Sequence, residues 1–337
     1  MSLLVTGSIG IDTVESPAGK VVDALGGSSI YFAQAASFFT PVRLVGVVGD
    51  DCPPDFLKPI EDNPAIDTAG LEVRAGSKTF RWHGRYHEDV NERDTVDVQL
   101  NVLAEAGPTI PPAFRDSRYV FLANTHPALQ MELLSQLDGP ALVAADTMDL
   151  WIDSERDALM QLMGMIDAII LNDSEARLLT GRANVITAGM ELARTVRRFV
   201  VVKKGEHGSL LFARRGQSGS AGRRPAAAGR QGHPRRVGSG GAGGKAGRAR
   251  PRVFALPSYP AADVVDPTGA GDSFAGAMMG HLAAVDSCET ADVRKAMAYG
   301  TVVAAMELEG FSLDRLREIT RADIDARLAD FAELTSF

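Results

Sequence analysis

A three-layer α/β fold, with a mostly parallel sheet between two layers of helices, is the architecture the sequence predicts. Three observations point to it. Short, continuously apolar, β-rich runs alternate with helix-patterned stretches along most of the chain. The length, 337 residues, suits one large α/β domain with a substantial core. One stretch, 72–102, instead alternates apolar and polar residues, as strands with one wet face do. Together with 11–25 it is expected to form a small antiparallel sheet that projects from the main body.

The elements follow in chain order. Strands are expected at "LLVTG" (3–7), "VRLVGVVG" (42–49), "YVFLAN" (119–124), "ALVAAD" (141–146), "AIILN" (168–172) and "FVVVKKG" (199–205). Helical patterns lie between them at 26–39, 128–137, 154–165, 174–180 and 188–198. In open parallel sheets ligands bind beyond the carboxyl ends of the strands. Asn124, Asp146, Asn172 and Lys203 fall there. "GSLLFA" and "RVFALPSYP" read as two arms of a hairpin. Between them, 213–252 holds eleven Gly, ten Arg and one Lys with no acidic residue, and is expected to be disordered. It reads as a tolerated surface insertion, since loop length costs only about 0.6 kcal/mol per doubling, or as a reading-frame artefact. A basic tether for RNA or an acidic partner is the sharper alternative. The absence of aromatic residues that could stack on bases ranks it lower.

Composition narrows the class. A net charge of −8 argues against a nucleic-acid binder as a whole. Two cysteines far apart, Cys52 and Cys288, fit a reducing compartment and no disulfide framework. The opening "MSLLVTGSIGID" has no basic leader and reads as a first buried strand. No apolar run approaches the ~20 residues of a membrane span. A cytoplasmic enzyme with a small-molecule substrate, and no membrane partner, is expected.

The most informative stretch is "DVVDPTGAGDSFAGAMMG" (263–280), where glycines and a carboxylate meet at the start of an apolar, small-residue segment. Free N–H groups at a helix start attract anions, and glycine lets the backbone come close. Gly269, Ala270 and Gly271 therefore look like an anion cradle. Asp272 at its edge is either an N-cap or a general base that takes a proton from an attacking hydroxyl. The residues alone leave the two about even. No GxxxxGK[ST] phosphate loop occurs, and "TGSIGID" (6–12) is not the GxGxxG dinucleotide fingerprint.

"DPTGAGDSFAGA" closely resembles the C-terminal signature of the ribokinase/PfkB family of carbohydrate and nucleoside kinases. "LGGSSIYFAQAASFF" (25–39), "VGVVGDD" (45–51), "LNDSEARLLTG" (171–181) and "VVKKGEHGS" (201–209) resemble further family segments, in the family's order. The resemblance covers nearly the whole chain apart from the Arg/Gly insertion. It implies a ribokinase-like fold with a β-sheet lid over the substrate. It implies an ATP-dependent transfer of the γ-phosphoryl group to a hydroxymethyl group of a small carbohydrate, with a nucleoside as the alternative acceptor. Asp272 is implied to be the base and the amides of 269–272 the anion hole. Asn172, Lys203, Gly205, Gly208 and Thr268 are implied to line ATP, and Glu175 to hold Mg²⁺ through water.

Each implied role has a structural alternative. Asn172 and Glu175 have the spacing of a capping box, and "KGEHG" could be a plain turn. Asp12 is implied to bind substrate hydroxyls, beside Gly26, Gly27, Ser28 and Ser29, though those glycines also suit tight packing. Asp266 either helps bind a monovalent cation such as K⁺, as in some relatives, or forms an Asx turn. Where fructokinase-type members carry Asp-x-Asn and an Arg, "AADTMDLW" (144–151) keeps Asp146, has Asp149 and lacks the Arg. That counts against a ketohexose. On "KTFRWHGRYH" (78–87), strand alternation puts Arg81, His83 and Arg85 on one face and Trp82, Gly84 and Tyr86 on the other. Either a phosphate-binding or a base-stacking face is open at this stage. A homodimer through the lid edge is an expectation. So is a catalytically silent binding protein, as the reading from another class.

Overall fold

The computed structural model describes residues 2–214 and 250–336; most of the Arg/Gly segment therefore lies outside the described residues. Its strands are β1 (Leu3–Thr6), β2 (Gly10–Ser16), β3 (Gly19–Gly26), β4 (Val42–Gly49), β5 (Ile66–Arg74), β6 (Phe80–Tyr86), β7 (Arg93–Gln99), β8 (Tyr119–Leu122), β9 (Leu142–Ala145), β10 (Ala168–Asn172), β11 (Phe199–Lys203), β12 (Ser209–Ala213) and β13 (Arg252–Leu256). Nine of them form one sheet in the order β13-β12-β11-β10-β9-β8-β1-β4-β5. It is parallel from β5 to β11, and β12 and β13 close it as the antiparallel hairpin read from the sequence.

Consecutive strand residues feed opposite cores, which is why the strands are apolar without a break. Leu3, Val5, Ile170 and Val201 join Phe32, Met278 and Val302 on one face. Leu4, Ile169, Val200 and Val202 join Leu133, Leu162, Leu179 and Leu192 on the other. Helices Ser28–Ser37, Ala270–Val285 and Thr290–Glu307 cover the first face, and Pro127–Ser135, Arg156–Met165, Asp173–Thr180 and Val185–Leu192 the second. The three layers are those of a ribokinase-like fold.

The remaining four strands make the small sheet, in the order β3-β2-β6-β7. Two expectations are corrected here. Residues 72–74 belong to β5, which pairs in parallel with β4 in the main sheet, so only 80–99 of the 72–102 stretch are lid strands. The small sheet is also not purely antiparallel. Its hairpins β2-β3 and β6-β7 are antiparallel, but the central pair β2-β6 is parallel, because the chain visits the main sheet between them. Helix bounds shift too. The 154–165 pattern is the helix Arg156–Met165, and a short helix, Asp149–Ser154, precedes it with a break at Glu155. The 188–198 pattern begins earlier, where Asn184 caps the Ile186 and Thr187 amides, and stops at Leu192.

Candidate active site

Helix Ala270–Val285 starts at the carboxyl side of the sheet, and its first turn builds the centre of the site. The N-cap is Gly269, in the left-handed region at φ 84°, with no side-chain cap. A Cβ there would come within 2.3–2.5 Å of three Tyr31 ring carbons, so only glycine allows this turn. Asp272 is the third helical residue and not the cap, which removes the capping explanation for it. Its side chain keeps some accessible surface while protein surrounds the carboxyl. Burial raises its pKa from 3.8 to about 6; Lys203 and Arg93 pull the other way. The Lys203 ammonium, at the end of β11, reaches the same turn: a Cβ on Gly271 would stand 2.5 Å from its Nζ.

Asn172 ends β10 and opens the next helix with a complete capping box. The Glu175 amide donates to Asn172 Oδ1 and the Asn172 amide to Glu175 Oε2, both at 2.7 Å. The cap expected as the structural alternative is therefore real, and it leaves the second Glu175 oxygen out of the box. Burial raises Glu175 to about 7, against the pull of Lys203. Asp146, just past β9, is buried, and burial and the nearby Asp272 charge hold its pKa well above the usual range. Asn172, Glu175, Lys203, Asp146 and Asp272 thus share one charged neighbourhood, as strand-end residues of a parallel sheet should. Asp149 is exposed but close enough to raise Glu175.

On the lid side Asp12 lies within β2 and not at the end of the first strand. It is 4 % exposed, accepts from the Gly27 amide, and burial lifts its pKa to about 7. Its Oδ1 is buried without a partner. A Cβ on Gly26 would overlap Asp12 Oδ2, so that glycine is what lets the carboxyl lie there. Ser28 and Ser29, expected as substrate donors, bond within the fold: Ser29 Oγ donates to the Ser8 carbonyl at 2.8 Å, and Ser28 Oγ bonds Ser8 Oγ at 3.0 Å. Both hydroxyls are engaged inside the fold.

The lid reaches the phosphate end as well. The Thr268 hydroxyl donates to the buried Tyr86 hydroxyl at 3.2 Å, joining β6 to the turn before Asp272. Asn91, in the β6-β7 turn, lies against Gly205: a Cβ there would be 2.3 Å from its Oδ1. Gly205 and Gly208 flank a single 3₁₀ turn between β11 and β12. Asp266 accepts from the Thr268 amide at 2.8 Å and the Ser312 amide at 3.1 Å, which is the Asx turn of the alternative reading. The face of β6 carrying Tyr86 is therefore the one turned to the site. The basic face is neutralised within the lid, with Arg81 on Asp23 at 3.1 Å and Arg85 on Glu15 at 2.8 Å.

Two charged residues of this neighbourhood escaped the sequence reading. Arg93 on β7 lies over the Trp82 ring at 5.8 Å, hydrogen-bonds Tyr86, and lowers the pKa of Asp272 and Glu175. Its place opposite Tyr86 in the hairpin register was the available signal. Glu307 is fully buried with neither carboxyl oxygen partnered, near Asp266 and Asp272, and burial holds its pKa well above the usual range. It sits in the Ala/Val/Met-rich helix 290–307, where an acid at a core position was the missed clue.

Comparison with known proteins places the chain in a family. A cytidine kinase of Thermococcus kodakarensis is 28 % identical over 286 residues, covering 83 % of this chain and 87 % of that protein. In structure the chain is similar to a Burkholderia thailandensis nucleoside kinase in complex with inosine (TM-score 0.68, 18 % identity, 97 % of this chain and 98 % of that one). It is also similar to the aminoimidazole riboside kinase of Salmonella enterica complexed with aminoimidazole riboside and an ATP analog (TM-score 0.69, 16 % identity, 97 % and 100 %). Residues 12–314, which hold the lid, the capping box and the Gly-Ala-Gly-Asp turn, match the model of the pfkB family of carbohydrate kinases, and the chain belongs to that family.

Proposed function

We propose that the protein transfers the γ-phosphoryl group of ATP to the hydroxymethyl group of a nucleoside. The observation that carries the reading is Asp272: a carboxyl held at the anion-binding start of a helix, with its pKa lifted to about 6. A base poised just below neutrality is mostly ionised at pH 7 and still basic enough to take an alcohol proton. Asp272 accepts that proton, and the amides of 269–272 meet the charge that develops on the transferred group. Asp12, with its unpartnered oxygen, fixes an acceptor hydroxyl, and Gly26 and Gly27 let the acceptor lie against backbone. ATP runs from Thr268 past Lys203 and Asn172 to the loop Gly205–Gly208.

The donor set suits Mg²⁺ held through water. Among the described residues no cluster of three His, Cys, Asp or Glu could hold a metal by itself, and Mg²⁺ binds through one or two carboxylates, waters and substrate phosphates. The free second oxygen of Glu175 fits that role, and the ion would neutralise phosphate charge. At Asp266, where Glu307 adds two buried oxygens without partners, a monovalent cation such as K⁺ is proposed.

Two observations favour a nucleoside over a free sugar or sugar phosphate. The similarity to a cytidine kinase covers most of the chain, and the β6 face turned to the site carries aromatic side chains suited to a base, while Arg81 and Arg85 are tied to lid acids. A second copy could pair with the exposed β7 edge. The test is phosphoryl transfer from Mg-ATP by the full chain to a panel of nucleosides, free sugars and sugar phosphates. Transfer to nucleosides at the highest kcat/KM is expected. Preference for a sugar overturns the acceptor class, and no transfer to any acceptor supports a silent binding protein.

A further inference from the structure

The lid and the anion-binding turn are joined at one short segment. Strand β2 ends at Ser16 and β6 at Tyr86, and their register sets Glu15 beside Arg85, so Ser16 and Tyr86 finish the pair side by side. Both bond the residues just before Gly269. The Ser16 hydroxyl donates to the Val265 carbonyl at 2.6 Å, and the Tyr86 hydroxyl accepts from that of Thr268 at 3.2 Å. A third tie starts on β3. The Ser312 hydroxyl donates to the Leu25 carbonyl at 2.5 Å, while the Ser312 amide donates to Asp266 at 3.1 Å.

The segment itself has little slack. The Val265 amide donates to the Leu308 carbonyl at 2.8 Å, at the end of helix Thr290–Glu307. Pro267 has its φ fixed by its ring, and Gly269 lies against the Tyr31 ring in its left-handed turn. Both donors of Thr268 are committed within the protein, the amide to Asp266 at 2.8 Å and the hydroxyl to Tyr86. A shift at Thr268 therefore passes directly to Gly269 and Ala270, where the anion hole begins. Of the three ties, the one between Tyr86 and Thr268 alone joins two side chains. Tyr86 is 8 % exposed, so water competes little for that bond.

We propose that Tyr86 is a positioning residue: its hydroxyl latches the lid to Thr268 and so fixes the anion-hole turn relative to the acceptor that Asp12 holds on the same small sheet. This rests on the reading of the 269–272 amides as the anion hole and of Asp12 as the acceptor's ligand. The latch makes and breaks no bond in the reaction. It sets the separation of the transferred group and the acceptor, where a small misplacement slows transfer.

The test is a double-mutant cycle in the full chain, with Tyr86→Phe, Thr268→Val and the two together. Each single change removes one hydroxyl at nearly constant volume. With Mg-ATP and the best acceptor of the panel above, each is expected to lower kcat about two- to tenfold, the net worth of one neutral hydrogen bond. The double variant should lose no more than the worse single one, because the bond is already gone. Thr268→Ser, which restores a hydroxyl, should recover most of what Thr268→Val loses. Amide exchange of the ligand-free chains, read by mass spectrometry, needs no turnover. Tyr86→Phe should speed exchange in the peptide 263–274, as Thr268→Val does, with β10 and β11 unchanged. Losses that multiply in the double variant overturn the latch, and so does faster exchange confined to 80–99 or found nowhere. A wild-type chain that transfers phosphate to no acceptor would overturn the proposed function instead, and the exchange result would then decide the latch.

Discussion

Replacing Asp272 by Asn separates catalysis from structure, because the amide keeps the shape and the capping ability of the carboxyl and loses its basicity. In the folded protein the Asp272 pKa rises from 3.8 to about 6, with burial the largest cause. At about 1.4 kcal/mol per unit, keeping this carboxylate ionised at pH 7.5 costs the fold up to about 3 kcal/mol. Asparagine removes the buried charge at nearly the same volume. The variant should therefore unfold at the wild-type temperature or a few degrees above it. Its turnover should fall by about 10²- to 10⁴-fold, the usual worth of a general base, with KM for ATP little changed. A residue that only caps would behave differently: Asn caps as well as Asp, so turnover would stay at the wild-type level. The assay is calorimetric unfolding beside steady-state phosphoryl transfer on the same sample. Full turnover by the variant would refute the reasoning.

Protonation carries a second prediction. Asp12 and Glu175 near 7 and Asp272 near 6 all sit above their unfolded values, so between pH 4 and 7 the folded state binds more protons than the unfolded one. The ligand-free protein should lose stability as pH rises through that window, while kcat/KM should fall as pH drops through about 6; calorimetry and pH–rate profiles check the two trends. Gly269→Ala forces a left-handed alanine onto the Tyr31 ring, and a loss of about 3 kcal/mol in stability and about a hundredfold in turnover is expected in denaturation and rate assays. Arg93→Met removes an exposed cation that lowers the pKa of Asp272 and Glu175; the acid limb of the rate profile should move to higher pH with the melting temperature unchanged. Ala213 pairs with Arg252 at the hairpin end, so joining Arg214 to Pro251 through Asn-Gly, in place of 215–250, should leave turnover within about twofold, as measured on the shortened chain.

The main sheet was legible because its strands are apolar on both faces. Val42–Gly49 and Ala168–Asn172 fall on the expected bounds, and the strand-end residues Asp146, Asn172 and Lys203 meet where a parallel sheet puts them. Local spacing also sufficed for the Asn172–Glu175 box and the Asp266 turn. What failed was whatever depends on partners far along the chain. Alternation in 72–102 cannot reveal that its first residues pair with β4 while its middle pairs with β2. The bonds of Ser28 and Ser29 to Ser8 cannot be read from local spacing. Arg93 is one charge among many in a polar stretch, and only the hairpin register brings it to Tyr86.

The charge balance of the site explains why such a costly arrangement persists. Asp12, Asp146, Glu175, Asp266, Asp272 and Glu307 belong to one charged neighbourhood, and each has a pKa raised by burial. Against them stand Lys203, fixed on the main sheet, and Arg93, carried by the lid. Unpaired buried acids destabilise the fold, so the ligand-free protein is held below the stability its core would allow. The same low-dielectric setting makes each donor and cation brought by the substrates count for more than in water. In the proposed reading, an acceptor hydroxyl on Asp12 would meet a buried oxygen without a partner, and a hydrated cation at Glu175 would offset the burial of its charge. Binding energy is thus stored as unmet demand in the free protein and released as the ligands arrive. That is the form in which a site built from positioning and electrostatics can favour a transition state over its ground state.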